Sequence, residues 1–568
     1  MTDHPSIAER RKALERDNPQ WRNETIDEAF RRLAEKYRER PFVIADDGAW
    51  TYAQSQERAE KLAKGLRSLG VGHGDRVALL IPNYAIFAHL ALATWRLGAS
   101  VVPVNFSYKA TELDYVIRQS QCKVVLTLET FRDLDYLAML DQVAPGWPTN
   151  LAAHYPDLKA VIRVGGSRPG MMTVEDLEKI GASDSTPLSK RPASPSETAV
   201  IMYTSGTTGA PKGVQHSHDQ QLRDTYCLAL HRAYEDGRRI IFSLPLYHAF
   251  GLSVGLIACI WVGGSVVMRP IFDPEDIMRN IEKYRPTDAL FVPTMAMAIV
   301  EHPKLKDYDL SSLFACLSSA AATPRRVWEK LITGLGLTEL VTGYGMTETT
   351  AAELMTEPDD SIDKLEQTIG HIMNAGVAGM PELGGLIARL RIVDPVTGKD
   401  VPPGAEGEFL WDTPMATKGY FGMPEATKAL FNKEGWLKSG DLGRMRSDGY
   451  VQLTGRAKEQ YKSGGELVSP KEVESVLCAH KDVAQAYVFG LPDERWGEIG
   501  AALVVPVVGT DPSEAELQEW CKDKLAKFKW PRHVFFCDAE NLPKTATGKV
   551  QKFRMIEFAK QKLGLDKT

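Results

Sequence analysis

A pattern of apolar strands alternating with helices occurs twice between residues 76 and 292, and it restricts this chain to a few folds. In the first copy the alternating strands and helices are predicted over 76–81, 84–97, 101–104, 111–119 and 123–126. In the second copy they are predicted over 240–244, 248–262, 265–268, 275–284 and 288–292. The copies match in detail, since Ala99–Val102 corresponds to Gly264–Val267. Strands joined through helices form parallel sheets, so the pattern predicts two related βαβ layers.

The pattern changes beyond about residue 370, where short β runs alternate with Gly, Pro and Asp turns. This pattern predicts a small β-barrel-like subdomain over 371–456, built as a small barrel or a distorted sheet. A compact α+β pattern follows, which predicts a small domain over 457–568. We therefore expect an α/β protein whose large N-terminal body spans 1–456. Within that body the α/β layers cover about 1–195 and 196–370.

Composition and charge exclude several classes of protein. The 568 residues are too many for one hydrophobic core, and a 43% hydrophobic content is typical of globular chains rather than disordered ones. The formal charge of −6 argues against a general nucleic-acid binder. Seven scattered cysteines without a Cys-x-x-Cys pair indicate neither a disulfide framework nor a cysteine-based zinc site. The uncharged stretch Leu244–Met268 is interrupted by Pro and Gly, so we expect no integral membrane segment and a cytoplasmic location.

The most specific motif is the segment Tyr203–Gly213, which reads YTSGTTGAPKG and follows an apolar strand over 198–202. Its glycines allow backbone N–H groups to approach a ligand, its hydroxyls add donors, and Lys212 adds a positive charge. These groups together suit a triphosphate. It is not a Walker A loop, because Pro211 interrupts the spacing and Gly213 follows the lysine. Taken alone, the segment could also be a flexible surface loop.

This loop resembles the phosphate loop of the adenylate-forming superfamily, which includes acyl-CoA synthetases, adenylation domains and beetle luciferases. Together with the motifs below, the resemblance extends over nearly the whole chain. It implies that the loop binds ATP, with Thr208 also on Mg²⁺. The implied ATP contacts in the loop are Thr204, Ser205, Gly206, Thr207, Thr208, Gly209 and Lys212.

A second motif, GYGMTE over 343–348, follows a predicted strand over 340–342, at the edge where open α/β sheets bind ligands. The resemblance implies that Tyr344 stacks on adenine between Gly343 and Gly345, that Thr347 contacts the α-phosphate and that Glu348 holds Mg²⁺. A carboxylate beside phosphates requires a divalent cation between them. Upstream, Ala321 and Ala322 occupy the family's adenine wall, although a tight strand-to-helix turn explains that segment equally well.

Asp441 lies in a Gly-flanked turn, where it can bind ribose hydroxyls, as the family implies, or cap its own backbone. Arg456 resembles the family's second ribose contact, and Lys458 resembles its hinge residue. Gly464 and Gly465 resemble the turn that faces CoA once the small domain has moved, although Leu467 departs from the usual Asn. The same segment also supplies an ordinary helix N-cap.

Lys549 matches the catalytic lysine of the first half-reaction, although most lysines are simply solvated. His248 lies where many members place a residue beside the reacting carboxylate, and its alternative is a buried core histidine. The predicted acyl pocket comprises His248, Phe250, Gly251, Leu252 and Gly255, with the two glycines leaving room for the ligand. No Asp or Glu occurs between Ile240 and Phe272, which disfavours an amino acid as substrate.

These features indicate an ATP-dependent acyl-CoA synthetase for a hydrophobic acid, which is medium- or long-chain aliphatic, alicyclic or aryl. The acid would react with ATP and Mg²⁺ to give acyl-AMP and pyrophosphate, and CoA would then release AMP. By resemblance, a mobile C-terminal domain rotates between the two steps. The alternative is a stand-alone acyl-adenylating enzyme that loads a carrier protein. A third candidate is luciferase-like oxygenation, although the chain ends in LDKT rather than the peroxisomal Ser-Lys-Leu.

Overall fold

The computed structural model describes residues 5–166, 168–204, 211–457, 459–463, 466–493, 495–522, 524–544 and 550–565. The chain divides into two compact units. The first contains Met1–Arg389 and Trp411–Leu437, and the second contains Leu390–Leu410 and Lys438–Thr568.

The α-helices of the described residues are α1 (Ile7–Asp17), α2 (Ile26–Tyr37), α3 (Tyr52–Ser68), α4 (Ala85–Arg96), α5 (Ala110–Ser120), α6 (Tyr136–Val143), α7 (Leu151–His154), α8 (Val174–Ser183), α9 (His218–His231), α10 (Pro274–Tyr284), α11 (Pro293–Val300), α12 (Arg325–Leu335), α13 (Ile362–Gln367), α14 (Pro424–Leu430), α15 (Pro470–Cys478), α16 (Glu514–Lys522) and α17 (Lys552–Leu563).

The strands are β1 (Pro41–Ala45), β2 (Gly48–Thr51), β3 (Arg76–Leu80), β4 (Ser100–Pro103), β5 (Val124–Thr127), β6 (Thr130–Phe131), β7 (Leu134–Asp135), β8 (Ala160–Arg163), β9 (Thr198–Thr204), β10 (Lys212–Ser217), β11 (Arg239–Phe242), β12 (Ser265–Met268), β13 (Asp288–Phe291), β14 (Ala315–Ser318), β15 (Glu339–Val341), β16 (Gly343–Tyr344), β17 (Leu354–Met355), β18 (His371–Ile372), β19 (Arg389–Val393), β20 (Gly407–Asp412), β21 (Leu437–Met445), β22 (Val451–Arg456), β23 (Tyr461–Ser463), β24 (Glu466–Val468), β25 (Val483–Asp493), β26 (Gly497–Pro506) and β27 (His533–Phe536).

The first unit contains the two predicted layers. One sheet has the order β10-β9-β4-β3-β5-β8, and the other has the order β15-β14-β13-β11-β12-β1-β2. Within each sheet the strands run parallel except for the edge strand β10 or β2. The repeat is visible in the register, since Arg76 pairs with Ser100 in one sheet and Arg239 with Ser265 in the other. The prediction of two related βαβ layers is therefore confirmed.

The expected boundary near residue 195 does not separate the two sheets. Strand β9 lies beyond that boundary but joins the first sheet, where Val101 pairs with Val200. Strand β1 lies before it but joins the second sheet, where Val43 pairs with Val266. Sheet membership therefore depends on long-range pairing and not on the order of the repeats.

An ion-pair network is buried at the start of β13. Asp288 is fully buried, and its carboxylate accepts hydrogen bonds from Arg232 at 2.6 Å and from Arg238 at 3.0 Å. Burial opposes ionisation of this aspartate, but the two guanidinium groups outweigh it and hold the pKa of Asp288 below its usual value. The network joins the segment after α9 to the sheet.

Helix α9 contributes several polar side chains to the interior of the first unit. It starts with a capping box, in which Ser217 and Gln220 bond reciprocally to each other's backbone N–H groups. The helix is buried along almost its whole length, including the polar residues Gln221 and Asp224. Buried polar side chains usually have hydrogen-bond partners, and Gln221 has two, whereas Asp224 Oδ2 has none among the described residues.

The segment predicted as a helix over 248–262 is irregular. It is a π-helix over Phe250–Ile257 followed by a 3₁₀-helix over Ala258–Val262. Because the stretch Leu244–Met268 is divided in this way, it contains no long continuous helix. Across the described part of the chain, no helix combines the length and apolar character needed to cross a membrane.

The second unit contains most of a four-stranded sheet and a five-stranded one. The first has the order β19-β20-β21-β22, so its described strands form an open sheet, which is the second of the two expected arrangements, and not a closed barrel. A barrel requires the two terminal strands to pair, and β19 and β22 stand at opposite ends of this order. The five-stranded sheet has the order β24-β23-β26-β25, with β27 added to β26. It packs with α15, α16 and α17, as expected for a small α+β domain.

Candidate active site

Two antiparallel strands bring the ends of the phosphate-loop motif together. Thr204 ends β9 and pairs with Lys212, which begins β10. The Thr204 hydroxyl donates to the Lys212 carbonyl at 3.5 Å. Residues 205–210 of the motif, which include Ser205, Gly206, Thr207, Thr208 and Gly209, lie outside the described residues.

Tyr420 connects this lysine to the acidic motif. The Lys212 ammonium group lies 4.9 Å from the centre of the Tyr420 ring. The Tyr420 hydroxyl donates to Oε1 of Glu348 at 2.8 Å, and the Glu348 carbonyl accepts from the Thr417 amide at 2.7 Å. Burial and the neighbouring carboxylate raise the pKa of Tyr420, so this hydroxyl keeps its proton. Tyr420 thus contacts a cation through its ring face and a carboxylate through its hydroxyl.

A chain of hydrogen bonds links the π-helix to the acidic motif. The Ser253 hydroxyl donates to Oε1 of Gln221 at 2.8 Å, and the Gln221 amide donates to Nδ1 of His216 at 3.0 Å. His216 Nε2 then donates to the Thr347 carbonyl at 2.6 Å. Burial lowers the pKa of His216 to about 4, so the ring is neutral with its proton on Nε2. These hydrogen bonds fix the position of the Thr347 backbone relative to the π-helix.

The adenine motif lies at the edge of the second sheet. Tyr344 on β16 stacks on Trp411, with ring centres 6.1 Å apart and planes 25° from parallel. The Gly343 carbonyl accepts from Ser319 at 2.7 Å, so the segment preceding Ala321 and Ala322 lies beside this strand. Both alanines are exposed. The hydrogen bond from Ser319 therefore joins the segment that precedes the two alanines to the strand that carries Tyr344.

Two backbone features of these motifs require special conformations. A Cβ on Gly345 would lie 1.7 Å from the Ala351 carbonyl oxygen, so only glycine fits. Ala320 and Thr350 have φ of 72° and 76°, a region that side chains other than glycine rarely adopt. Strain of this kind concentrates at functional sites.

The predicted acyl pocket is arranged differently from the expectation. His248 is partly exposed, and its ring lies 4.6 Å from that of Tyr247. Leu252 is fully buried, whereas Phe250 is partly exposed. The expectation that the two glycines leave room for a ligand is corrected. A Cβ on Gly251 would lie 2.2 Å from the Pro245 carbonyl oxygen, and one on Gly255 would lie 2.7 Å from the Phe242 ring. These glycines instead let the π-helix pack closely on the protein.

Asp224 is a buried acid close to the same motifs. Its Oδ1 accepts from the Ala352 amide at 3.1 Å, and Oδ2 has no hydrogen-bond partner within the described part of the chain. Burial raises the pKa of Asp224 to about 8, against the opposing effect of the Ala352 amide. The side chain is therefore protonated at neutral pH.

In the second unit, the structure brings the two predicted ribose residues together. Asp441 on β21 pairs with Arg456 on β22, and the Arg456 Nε lies 2.9 Å from Asp441 Oδ1. Asp441 is 5% exposed. Gly440 precedes it with φ of 72°, which turns the chain so that the Asp441 amide bonds to the Ser439 hydroxyl. Asp441 thus lies within a strand rather than in the expected turn, and its carboxylate is paired with Arg456.

Comparison with known proteins places these motifs in a family. The model of the AMP-binding enzyme family matches residues 30–421, and that of the AMP-binding enzyme C-terminal domain matches 472–549. The chain belongs to the AMP-binding enzyme family. It is an AMP-forming acid–CoA ligase, which makes acyl-CoA from a carboxylic acid, ATP and CoA through acyl-AMP.

Individual proteins of this family resemble the chain along almost its full length. A putative acyl-CoA synthetase, YngI of Bacillus subtilis, is 33% identical over 94% of this chain and 96% of its own. A feruloyl-CoA synthase of Amycolatopsis is 33% identical over 89% of this chain and 93% of its own. The crystal structure of the anthranilate CoA ligase AuaEII with anthranoyl-AMP matches with a TM-score of 0.82 and 26% identity, covering 97% of this chain and 99% of that one.

Several family positions lie outside the described residues, namely Lys458, Gly464, Gly465 and Lys549. The strands that flank the glycine pair, β23 and β24, form an antiparallel hairpin. Lys544 and Val550 form a bridge on either side of the segment that contains Lys549. The roles of all four positions remain predictions.

Sequence reasoning missed Tyr420, His216, Gln221 and Asp224. The sequence gives one weak signal for Tyr420. It follows Gly419, and with Phe421 it forms the only pair of adjacent aromatic residues between Trp411 and Phe431. The polar run over 216–221 at the start of a helix was a signal for His216 and Gln221. Asp224 had no signal of its own, since a single Asp on a helix is usually solvated.

Proposed function

We propose that this ligase activates a hydrophobic carboxylic acid and transfers it to CoA, with the motifs of the first unit holding ATP. The proposal rests on the contacts of Tyr420 with Lys212 and with Glu348. Lys212 and Glu348 belong to the two motifs that resemble ATP-binding segments. Tyr344 would contact adenine, while Asp441 and Arg456 would contact the ribose.

The first half-reaction joins two anions. The acid's carboxylate attacks the α-phosphorus of ATP, which forms acyl-AMP and expels pyrophosphate. At about 4 Å and an effective dielectric of about 20, two unit charges repel by about 4 kcal/mol. Lys212 and Lys549 offset this repulsion in our proposal, and Lys549 stabilises the charge that develops at phosphorus. Thr347 orients the α-phosphate, because His216 fixes its backbone.

Glu348 and Thr208 are the proposed magnesium ligands. The donor set fits, because proteins usually bind Mg²⁺ through one or two carboxylates together with substrate phosphates. The Tyr420 hydroxyl engages one carboxylate oxygen of Glu348 and thereby orients the group. When bound, the ion neutralises phosphate charge. The chain's own part is to hold Glu348 on the short 3₁₀ turn Thr347–Thr349.

In the second half-reaction, the thiol sulfur of CoA attacks the acyl carbon. The C–O bond to AMP breaks, AMP leaves, and the thiol proton passes to solvent. We propose that the small domain, from about residue 457, presents Lys549 for the first step and Gly464–Gly465 for the second. Rotation about Lys458 would exchange them.

The acyl group is proposed to be apolar, because the segment after His248 supplies Phe250, Leu252, Leu256 and Ile257. Medium- or long-chain aliphatic, alicyclic and aryl acids all fit this chemistry. His248 would lie beside the reacting carboxylate. We also propose a cytoplasmic location, in keeping with the scattered odd number of cysteines.

A panel of acids with ATP and Mg²⁺, scored for AMP and for acyl-CoA with and without CoA, tests this proposal. Apolar acids should give acyl-CoA, and CoA should accelerate AMP release. The alternative of loading a carrier protein requires a phosphopantetheinyl carrier to replace CoA with higher kcat/KM. Absence of acyl-CoA for every apolar acid would refute the proposal.

A further inference from the structure

Three potential metal ligands converge in the first unit, and none of them belongs to the motifs described above. They are His231 at the end of α9, Glu357 after β17 and His371 on β18. One ligand atom of each lies within 4.8 Å of the others. Glu357 Oε1 is 3.1 Å from His371 Nε2 and 4.0 Å from His231 Nδ1.

Hydrogen bonds on the far side of each ring determine which nitrogen faces the carboxylate. His231 Nε2 lies 3.0 Å from the Thr356 carbonyl, and His371 Nδ1 lies 3.0 Å from the Ile372 carbonyl. A carbonyl only accepts, so both of these nitrogens carry protons. His231 Nδ1 therefore directs its lone pair toward Glu357, 4.0 Å from Oε1. His371 Nε2 instead donates to Glu357 Oε1 at 3.1 Å, a hydrogen bond that raises the pKa of His371, so a bound metal would take the place of this proton. Backbone carbonyls hold metal-binding histidines in this same way.

We propose that His231, Glu357 and His371 form a binding site for a divalent transition metal, with Zn²⁺ as the preferred ion. Two imidazoles and one carboxylate suit zinc better than magnesium or calcium, which prefer oxygen ligands. Ligands of a tetrahedral zinc ion lie about 3.3 Å apart, given metal–ligand distances of about 2.0–2.1 Å. The observed 3.1 Å and 4.0 Å separations approach this geometry, and water would complete the coordination.

Arg11 and Asp360 are further charged groups at this cluster, and the Asp360 carboxylate accepts from the Glu357 amide at 2.8 Å. The Arg11 guanidinium donates to Glu357 Oε2 at 2.5 Å and to the carbonyls of Leu230 and His231. Arg11 therefore engages Oε2, whereas both rings approach Oε1. The carboxylate is oriented by an ion pair on one side, and its other oxygen is directed at the two histidines.

The position of the site suggests a structural role next to the adenine motif. In the three-stranded sheet, Gly343 pairs with Met355, and Met355 pairs with His371. His371 is therefore in the same cross-strand row as Gly343, two strands away. A metal joining His371 to His231 would fasten this row to the end of α9. We expect it to stabilise the first unit whether or not the proposed acid specificity is correct.

Metal content measured on the full-length untagged chain tests the site. The protein is stripped with EDTA, equilibrated with Zn²⁺ without nucleotide, desalted and analysed by mass spectrometry, and Co²⁺ replaces Zn²⁺ for visible spectroscopy. We expect one Zn²⁺ per chain, a four-coordinate Co²⁺ spectrum and a higher melting temperature with Zn²⁺. His231→Gln and His371→Gln should each weaken binding at least about 100-fold, since loss of outer-shell partners alone costs 10–100-fold.

The matched control is His73→Gln, which removes a histidine paired with Glu197 at 2.9 Å outside this cluster. It should retain the metal and the spectrum. If the buried His231 variant does not fold, the partly exposed His371 variant decides, provided that its melting curve in EDTA matches that of the wild type. The proposal is overturned if the wild type binds no zinc, if His371→Gln binds it equally well, or if the ion is lost only on His480→Gln, which alters a separate His480–Asp482–Glu516 cluster.

Discussion

Replacing Tyr420 with phenylalanine removes one hydroxyl from the array that joins Lys212 to Glu348. The ring remains, so the cation–π contact with Lys212 is preserved, and only the 2.8 Å hydrogen bond to Glu348 is lost. A hydrogen bond to a charged group contributes about 1.5–3 kcal/mol. Because Glu348 is partly exposed, we take the lower end, and about 1.5 kcal/mol corresponds to a roughly tenfold change. We therefore expect kcat/KM for ATP in acyl-AMP formation to fall about tenfold.

A double-mutant cycle with Glu348→Gln isolates this contact. Pyrophosphate release is measured for the wild type, both single variants and the double variant. In the Glu348→Gln background, Tyr420→Phe should have a much smaller effect, with a coupling energy of about 1 kcal/mol, as found for residues in contact. Thioester formation from synthetic acyl-AMP and CoA should be nearly unchanged. An equal effect of Tyr420→Phe in both backgrounds would refute the idea that this hydroxyl acts through Glu348.

Three further variants test other parts of the molecule. Lys549→Ala should slow acyl-AMP formation by about 100-fold or more but spare thioester formation from synthetic acyl-AMP, and equal losses in single-turnover assays would contradict its role. Asp224 keeps its proton in the folded state up to about pH 8 but loses it near pH 4 when unfolded, so its contribution to the unfolding free energy falls across that window. In urea titrations, the unfolding free energy of Asp224→Asn minus that of the wild type should therefore be larger at pH 8 than at pH 5. An equal difference at both pH values would count against burial of a protonated acid. Asp288→Asn should destabilise the fold by about 3–5 kcal/mol in the same assay, whereas the exposed Asp236→Asn should cost under about 1 kcal/mol, and similar small losses for both would disprove the buried network.

The sequence predicts the regular parts of the fold well, because local periodicity reflects which face of each element is buried. Strands β3, β4 and β5 and their counterparts β11, β12 and β13 all lie where the apolar runs predict them. The match between Ala99–Val102 and Gly264–Val267 reappears as equivalent register at Ser100 and Ser265. Asp441 and Arg456, both expected at the ribose by resemblance, lie opposite one another because β21 and β22 are adjacent antiparallel strands.

Features that depend on long-range contacts were not predictable in this way. Strands β1 and β9 each pair within the sheet of the other half of the repeat, so their partners are distant in sequence. Tyr420 and Glu348 are likewise distant in sequence but share a hydrogen bond. Gly251 and Gly255 illustrate the same limit for packing. An absent side chain indicates close approach, but the sequence does not identify the neighbour, which here is protein rather than ligand.

The reaction should proceed through acyl-AMP as its intermediate, and an isotope experiment tests this most directly. An apolar acid labelled with ¹⁸O in both carboxyl oxygens is converted with ATP, Mg²⁺ and CoA, and the AMP is analysed by mass spectrometry. Attack of the carboxylate on the α-phosphorus makes one labelled oxygen the bridge, and thiolysis at the acyl carbon leaves that oxygen on the nucleotide. The route through acyl-AMP predicts AMP that carries one ¹⁸O and acyl-CoA that retains the other. Unlabelled AMP, or ADP in its place, would contradict it.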